Sequence, residues 1–400
     1  MLEEHILPVE VQRRSVSISA IPIVEVEVKE EEEKPPMCIL RSALVVFLTT
    51  VFATLSFAQK SVTIHQPKLT LQTSGTTEGL IAVSPVNARV VWAAGRHGTF
   101  VLTTDGGKTW KAGLVKGAKG LQFRDVQGVS DKVAYLQSIG NFPSDFRIYK
   151  TIDGGATWTM QFKNQTPGAF YDCFAFWTPN RGISHSDSVN GVFPDIRTTD
   201  GSLWQDISGN MPPALAGEAS FSSSGTCVAT QGANNAWIAT GGSSIARILA
   251  TTDGAKTWNA YNTPLVSSPS AGAFTLDFRD RLHGIVGGGD LDPGDPDNAR
   301  TATSDDGGQN WTLTNAPPVT GAIFGLSYVR KIGSCHTALC HQVARYVVVT
   351  ADTGGAAWTP DEGTTWYVLP GVTGCWGVAF ASPGFGWLVG TGGTIIKISF

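Results

Sequence analysis

Charge is scarce in this sequence. Of 400 residues only 16% are Asp, Glu, Lys or Arg, and 29 basic residues nearly cancel 33 acidic ones. The small acidic surplus lies in the first 58 residues, and the remainder is balanced. A neutral body offers no electrostatic grip to a nucleic-acid backbone or an anionic membrane surface. Cysteine is sparse, at 6 residues, which excludes a disulfide-dense miniature scaffold. One apolar run stands out, Ala43 to Leu55, and it is shorter than the roughly 20 residues that a membrane-spanning helix needs. Also missing are a Ser nucleophile elbow, a Walker loop, a zinc-hydrolase His pair and a dinucleotide fingerprint. Gly287-Gly288-Gly289 reads as a strand end, not a phosphate cradle. The expectation is of no cofactor and no metal.

What the sequence has is repetition. Six times a Ser or Thr is followed two residues later by Asp, then by Gly, and then by Trp. The Asp positions are Asp105, Asp153, Asp200, Asp253, Asp306 and Asp361, and the closing tryptophans are Trp110, Trp158, Trp204, Trp258, Trp311 and Trp366. Each phrase predicts a tight hairpin: Asp accepts backbone N–H groups of its own turn, and Gly supplies positive φ. The Trp covers the start of the next strand. The third copy is one residue short, and the fifth has Asn310 where others have Thr. This spacing is similar to the Asp-box, or BNR repeat, of sialidase-like propellers. The six Asp side chains are therefore expected to be structural.

The copies recur about every fifty residues, the length of one four-stranded propeller blade. Second strands align as Val91–Gly95, Ala236–Gly241, Gly284–Gly287 and Gly386–Gly390, each ending in Gly. First strands begin near Gly79, Gly120, Phe170, Gly217, Ala273, Ile323 and Trp376. That makes seven units, the last of which stops after its third strand, Thr394 to Ile398. The missing strand is available as Lys68 to Thr73. The expected fold is all-β, a seven-bladed propeller whose N-terminal strand completes the last blade, with six blades as the alternative.

Residues 1–36 carry a charged run from Glu25 to Lys34 and no turn-and-strand rhythm, and read as a disordered acidic extension or a mis-assigned start. Residues 37–58 read as a secretory signal peptide: a short basic start at Met37, the apolar run, and Ser56-Phe57-Ala58 ahead of Gln59. Residues 59–400 then form the propeller, expected to be a monomer in the periplasm or outside the cell, without a stable membrane span. Export permits disulfides. Cys335 and Cys340 are close enough to bridge, whereas Cys173, Cys227 and Cys375 cannot be paired from sequence. Four residues separate Cys335 from Cys340, against the two of a haem attachment. The acidic stretch from Asp290 to Asn298 lacks EF-hand spacing and reads as a solvated loop.

Strand order assigns the loops to faces. Turns between strands three and four, the Asp turns, share one face. Turns between strands two and three, and the links between blades, share the other and surround the axis. Candidate binding residues on that second face are Arg96, His97, Tyr171, Asp172, His185, Asp187, Glu218 and Trp376, with Glu78, Arg124, Asp290 and Asp352 nearby. His185 with Asp187 suggests an acid–base pair. Asp172 with Glu218 suggests the paired carboxylates of a glycoside hydrolase.

The Asp-turn count, the blade period and the ending Gly386-Trp387-Leu-Val-Gly390-Thr-Gly-Gly-Thr394 resemble the photosystem II stability/assembly factor propellers. Tyr171-Asp-Cys-Phe-Ala-Phe-Trp177 and Ser224-Gly-Thr-Cys-Val-Ala-Thr-Gln-Gly232 are similar to exported bacterial relatives of that group. The resemblance covers about residues 65–400 and implies a seven-bladed propeller that binds a partner during assembly. The arginine-rich patch of the photosynthetic members has no counterpart here. Sialidases need an early Arg-Ile-Pro segment, which is absent. The expected function is exported, non-catalytic binding of a protein partner or glycan on the face opposite the Asp turns. The alternative is a secreted carbohydrate-active enzyme of the Asp-box glycoside hydrolase type.

Overall fold

At Thr103–Trp110 the repeated phrase closes as its chemistry demands. Thr103 Oγ1 donates to Asp105 Oδ1 at 2.8 Å and accepts from the Gly107 N–H at 3.0 Å. Asp105 also accepts the Thr109 N–H at 2.9 Å and its hydroxyl at 2.6 Å. Asp153 and Asp253 repeat this pattern, and Asn310 supplies the missing hydroxyl's role at Asp306 by donating at 2.7 Å. In the shortened third copy Asp200 takes the Ser202 and Leu203 N–H groups instead. Gly107 and Gly155, both with φ of 83°, occupy backbone that an L side chain resists.

These turns link the third and fourth strands of four-stranded antiparallel sheets, of which the computed structural model contains seven. The structure describes residues 66–292, 299–329 and 344–400, all within one unit spanning Thr63–Phe400. The first strands of successive blades are Leu80–Pro85, Gln122–Gly128, Tyr171–Thr178, Val228–Gln231, Ala271–Phe278, Gly325–Tyr328 and Cys375–Ser382. Each neighbours the next, and the last neighbours the first, so seven inner strands close around one axis. The fold is a seven-bladed β-propeller, and the six-bladed alternative falls.

Closure runs as expected from the missing strand. Lys68–Thr73 pairs antiparallel with Thr394–Ser399, from Lys68 opposite Ser399 to Thr73 opposite Thr394. It thereby becomes the outer strand of blade seven. Unit four departs from expectation. Its first strand starts at Val228, not near Gly217, because the intervening chain makes only an isolated bridge, Ala219 with Gly241, while crossing toward the axis.

The blades are held by apolar sandwiches between adjacent sheets. Trp92, Trp237, Trp358 and Trp387 are among the largest fully buried side chains. Trp237 stacks on Phe278 of the next blade at 3.6 Å between centroids. Polar clasps reinforce the same seams by reaching the next blade's Asp turn. Lys397 Nζ donates to Gly106 O, Tyr135 Oη to Gly201 O, Arg197 Nη1 to Gly254 O and Trp237 Nε1 to Gly307 O. The turn tryptophans join in: Trp158 meets Trp92 edge-on, and Trp110 Nε1 donates to Gln72 Oε1. So each Trp docks its hairpin onto the preceding blade as well as covering its own strand.

One disulfide links Cys173 to Cys227, tying the inner strand of blade three to the residue before that of blade four. Cys375 is a buried free thiol, and burial pushes it up to about 12. The Cys335–Cys340 pair, the signal-peptide segment 37–58, the extension 1–36 and most of the Asp290–Asn298 loop lie outside the described residues.

Candidate functional site at the axial mouth

The inner strands begin on the face opposite the Asp turns, and their starts converge on a pocket of about 310 Å³. Five aromatic rings wall it: Phe170, Phe221, Phe274, Phe324 and Trp376. Phe221 stacks on Phe274 at 3.9 Å, and Phe324 meets Trp376 edge-on at 5.1 Å. Arg124, Asp172 and Asp187 supply its ionisable groups. A second opening of about 200 Å³ lies further along the axis and draws residues from all seven inner strands.

Arg124 lies over the Trp376 ring at 5.2 Å from its centroid. Its Nη1 donates to Ser222 O and its Nη2 to Gln122 Oε1. Burial, then the nearby Arg96, lowers its pKa to about 10. Arg96 itself stands 5.8 Å from the same indole.

Asp172 is 1% exposed, and its Oδ2 has no hydrogen-bond donor in reach. Its polar neighbour is another carboxyl, that of Asp187. Asp187 accepts the Ser220 N–H at 2.8 Å. Burial first, then the negative charge of Asp187, pushes Asp172 well above the usual carboxylate range, and burial raises Asp187 too. Two carboxyls in contact, Asp172 fully buried and Asp187 half-buried, cannot both ionise cheaply, so the pair retains a proton.

The expected ring of eight residues is brought together only in part. Asp172, Asp187 and Trp376 line the mouth, Arg96 flanks it, and His97 sits at the rim with Nδ1 2.6 Å from Glu78 Oε2. Tyr171, His185 and Glu218 turn away into the blades. Tyr171 is buried and donates to Pro194 O at 2.7 Å. His185 does not pair with Asp187 as the sequence suggested; its Nδ1 lies 2.9 Å from Asp195 Oδ2, with both side chains fully buried. Glu218 does not pair with Asp172. It is consumed by Arg247, by the Thr240 hydroxyl at 2.7 Å and by the Leu215 N–H at 2.8 Å.

The hydrolase geometry is therefore not assembled from the expected residues. The carboxyls that do meet are Asp172 and Asp187, which share the mouth and raise each other's cost of ionisation. Among the described residues no three His, Cys, Asp or Glu side chains are placed to share a metal ion. Asp290 accepts from Ser270 Oγ and the Asp292 N–H, an internal loop closure.

Of the five rings in the aromatic wall, only Trp376 was among the expected residues. Yet Phe170, Phe221, Phe274, Phe324 and Trp376 recur at about the blade period, a second repeat beside the Asp turns. A larger hollow of about 810 Å³ follows the seam between Lys68–Thr73 and Lys111–Leu114. Much of its lining is glycine and threonine, so it offers room without converging chemistry.

No protein-family profile and no curated protein matches this chain in sequence. Solved structures do match its fold. A structure described as YCF48 bound to a D1 peptide superposes with a TM-score of 0.56 at 17% identity, covering 85% of this chain and 98% of that one. YCF48 from Cyanidioschyzon merolae gives a TM-score of 0.54 at 14% identity, covering 83% and 98%. The likeness is one of fold.

Proposed function

We propose that this chain is an exported, non-catalytic propeller that works by holding a protein partner at the axial mouth. The observation that carries this reading is the aromatic-walled pocket on the face opposite the Asp turns. Aromatic and Arg side chains are the ones that dominate binding energy at protein contacts. The Asp turns, by contrast, spend their polar groups on closing themselves and clasping a neighbouring blade. We read them as Asp-box repeats, and the chain as similar to exported bacterial relatives of the assembly-factor propellers. The fold shared with a YCF48 bound to a peptide supports a binding role, and the Cys173–Cys227 bridge supports an oxidising compartment.

The test is a pair of substitutions, Phe324→Ala with Trp376→Ala, in the otherwise intact chain. Partner capture from the native compartment should fall at least tenfold while the fold persists. An unchanged set of captured proteins would overturn the reading. Turnover of a polysaccharide or sialoside by the purified protein, lost in Asp172→Asn, would move the chain to the carbohydrate-active class.

A further inference from the structure

The mouth combines two features that rarely share one small space. Its wall is a collar of aromatic rings, and within it lies a carboxyl, Asp172, that is 1% exposed and has no donor for its Oδ2. The pair holds a proton between its two carboxyls where the protein offers no cation, and a cation from outside can take that proton's place. Arg124 makes no hydrogen bond to the pair: its Nη1 and Nη2 donate to Ser222 O and Gln122 Oε1, its plane rests on Trp376, and its Nε has no acceptor.

We propose that this pocket receives one lysine or arginine side chain of a bound polypeptide, whose cationic tip is taken up by the Asp172–Asp187 carboxyl pair. The proposal rests on the mouth being the binding site and names what it binds. At about 310 Å³ the pocket is at the bottom of the range for small-molecule sites, and it suits a single side chain. The apolar stem of a lysine packs against the phenylalanines, and ring faces attract its charge. The ammonium takes the place of the proton that the Asp172–Asp187 pair holds.

Charge balances on both sides of the step. In the empty mouth Arg124 carries one positive charge and the carboxyl pair one negative charge, with one proton held between its two members. When the cation enters, that proton leaves to solvent and both carboxylates are ionised, facing Arg124 and the incoming group. The other titratable groups near the pair are Asp195 and His185 behind it and Arg96 beyond Arg124. Since a proton is released, affinity rises with pH until the free pair loses its proton unaided, by up to about tenfold per pH unit.

The experiment titrates the folded chain with capped pentapeptides, Gly-Gly-X-Gly-Gly, where X is lysine, norleucine or glutamate, and with free n-pentylamine. Binding is read from the indole N–H resonance of Trp376, assigned with Trp376→Phe, from about pH 5 to about pH 8. The lysine peptide should bind at least tenfold more tightly than the norleucine peptide, with affinity rising as pH rises. The free amine should bind more weakly than the lysine peptide. Asp172→Asn, which keeps a donor toward Asp187, should retain the folded spectrum, lose the lysine preference and flatten the pH profile. Equal binding of norleucine, preference for glutamate, a flat profile in the parent chain or tighter binding of the free amine would overturn the proposal while leaving the mouth as a binding site. No shift at Trp376 with any peptide, together with unchanged partner capture by the double variant, would overturn both readings.

Discussion

Asp153 shows how one side chain ties a turn to pH. The Thr157 hydroxyl, then the Thr157 N–H, lowers its pKa from 3.8 to about 2. Leu203 and Ser202 N–H groups lower Asp200 to about 2 as well. Such depressed carboxylates contribute stability that is complete above about pH 4 and lost as pH falls toward 2. The melting temperature should therefore drop across that window, and Asp153→Ala should lower it at neutral pH and make its acid dependence shallower; equal acid slopes in parent and variant would contradict the assignment. Asp125 has the opposite sign, because burial raises it, and its contribution declines as pH rises through its elevated pKa. The Asp turns were legible because all their bonds span four residues or fewer. The pairing of His185 with Asp195 was not, since it depends on how a ten-residue excursion folds back. Nor was Cys173–Cys227, although its separation of 54 residues is about one blade period. Removing that bridge in Cys173→Ala with Cys227→Ala should cost about 2–4 kcal/mol, measurable by denaturant unfolding.

Among the elements, the closing strand, like Val91–Gly95, was placed to the residue. Its six residues were identified by subtraction, as the strand that the last unit lacks. The first strand of unit four was misplaced because Gly217–Cys227 carries glycine and serine signals that suit either a strand start or a link. Deleting Lys68–Thr73 would strip the outer edge from Thr394–Ser399, remove the Gln72 contact to Trp110 and expose Ile396 and Ile398. The expected result is a loss of several kcal/mol, with aggregation through the bared edge. A truncated chain with the full melting temperature would show that closure does not need this strand. Glu362 illustrates a subtler element-level device. It sits at φ of 57° in the last Asp turn, where other copies have Gly, and is held there by Arg279 Nε at 2.6 Å, Tyr328 Oη at 2.8 Å and Arg345 Nε at 2.9 Å.

For the whole molecule, the proposal of export makes a concrete prediction. The basic start, apolar run and Ser56-Phe57-Ala58 should direct cleavage before Gln59, so mass spectrometry of the exported protein should find Gln59 at its N-terminus. A protein retaining residues 1–36 and fixed in a membrane would refute it. The ring itself was legible in the sequence because a repeat fixes architecture before any single contact is known. The mouth was legible only in outline, since which loop residues turn inward depends on backbone that no local signal sets. Ring closure also dictates an order of events on the ribosome. Lys68–Thr73 is made first among the described strands, and its partner Thr394–Ser399 last. Through nearly all of synthesis the early strand has no mate, and blade one lacks its neighbour at the seam. The propeller can complete itself only after translation has reached its end, so the nascent chain carries an unpaired edge that a chaperone or a passing copy of the same strand can meet before its own partner arrives.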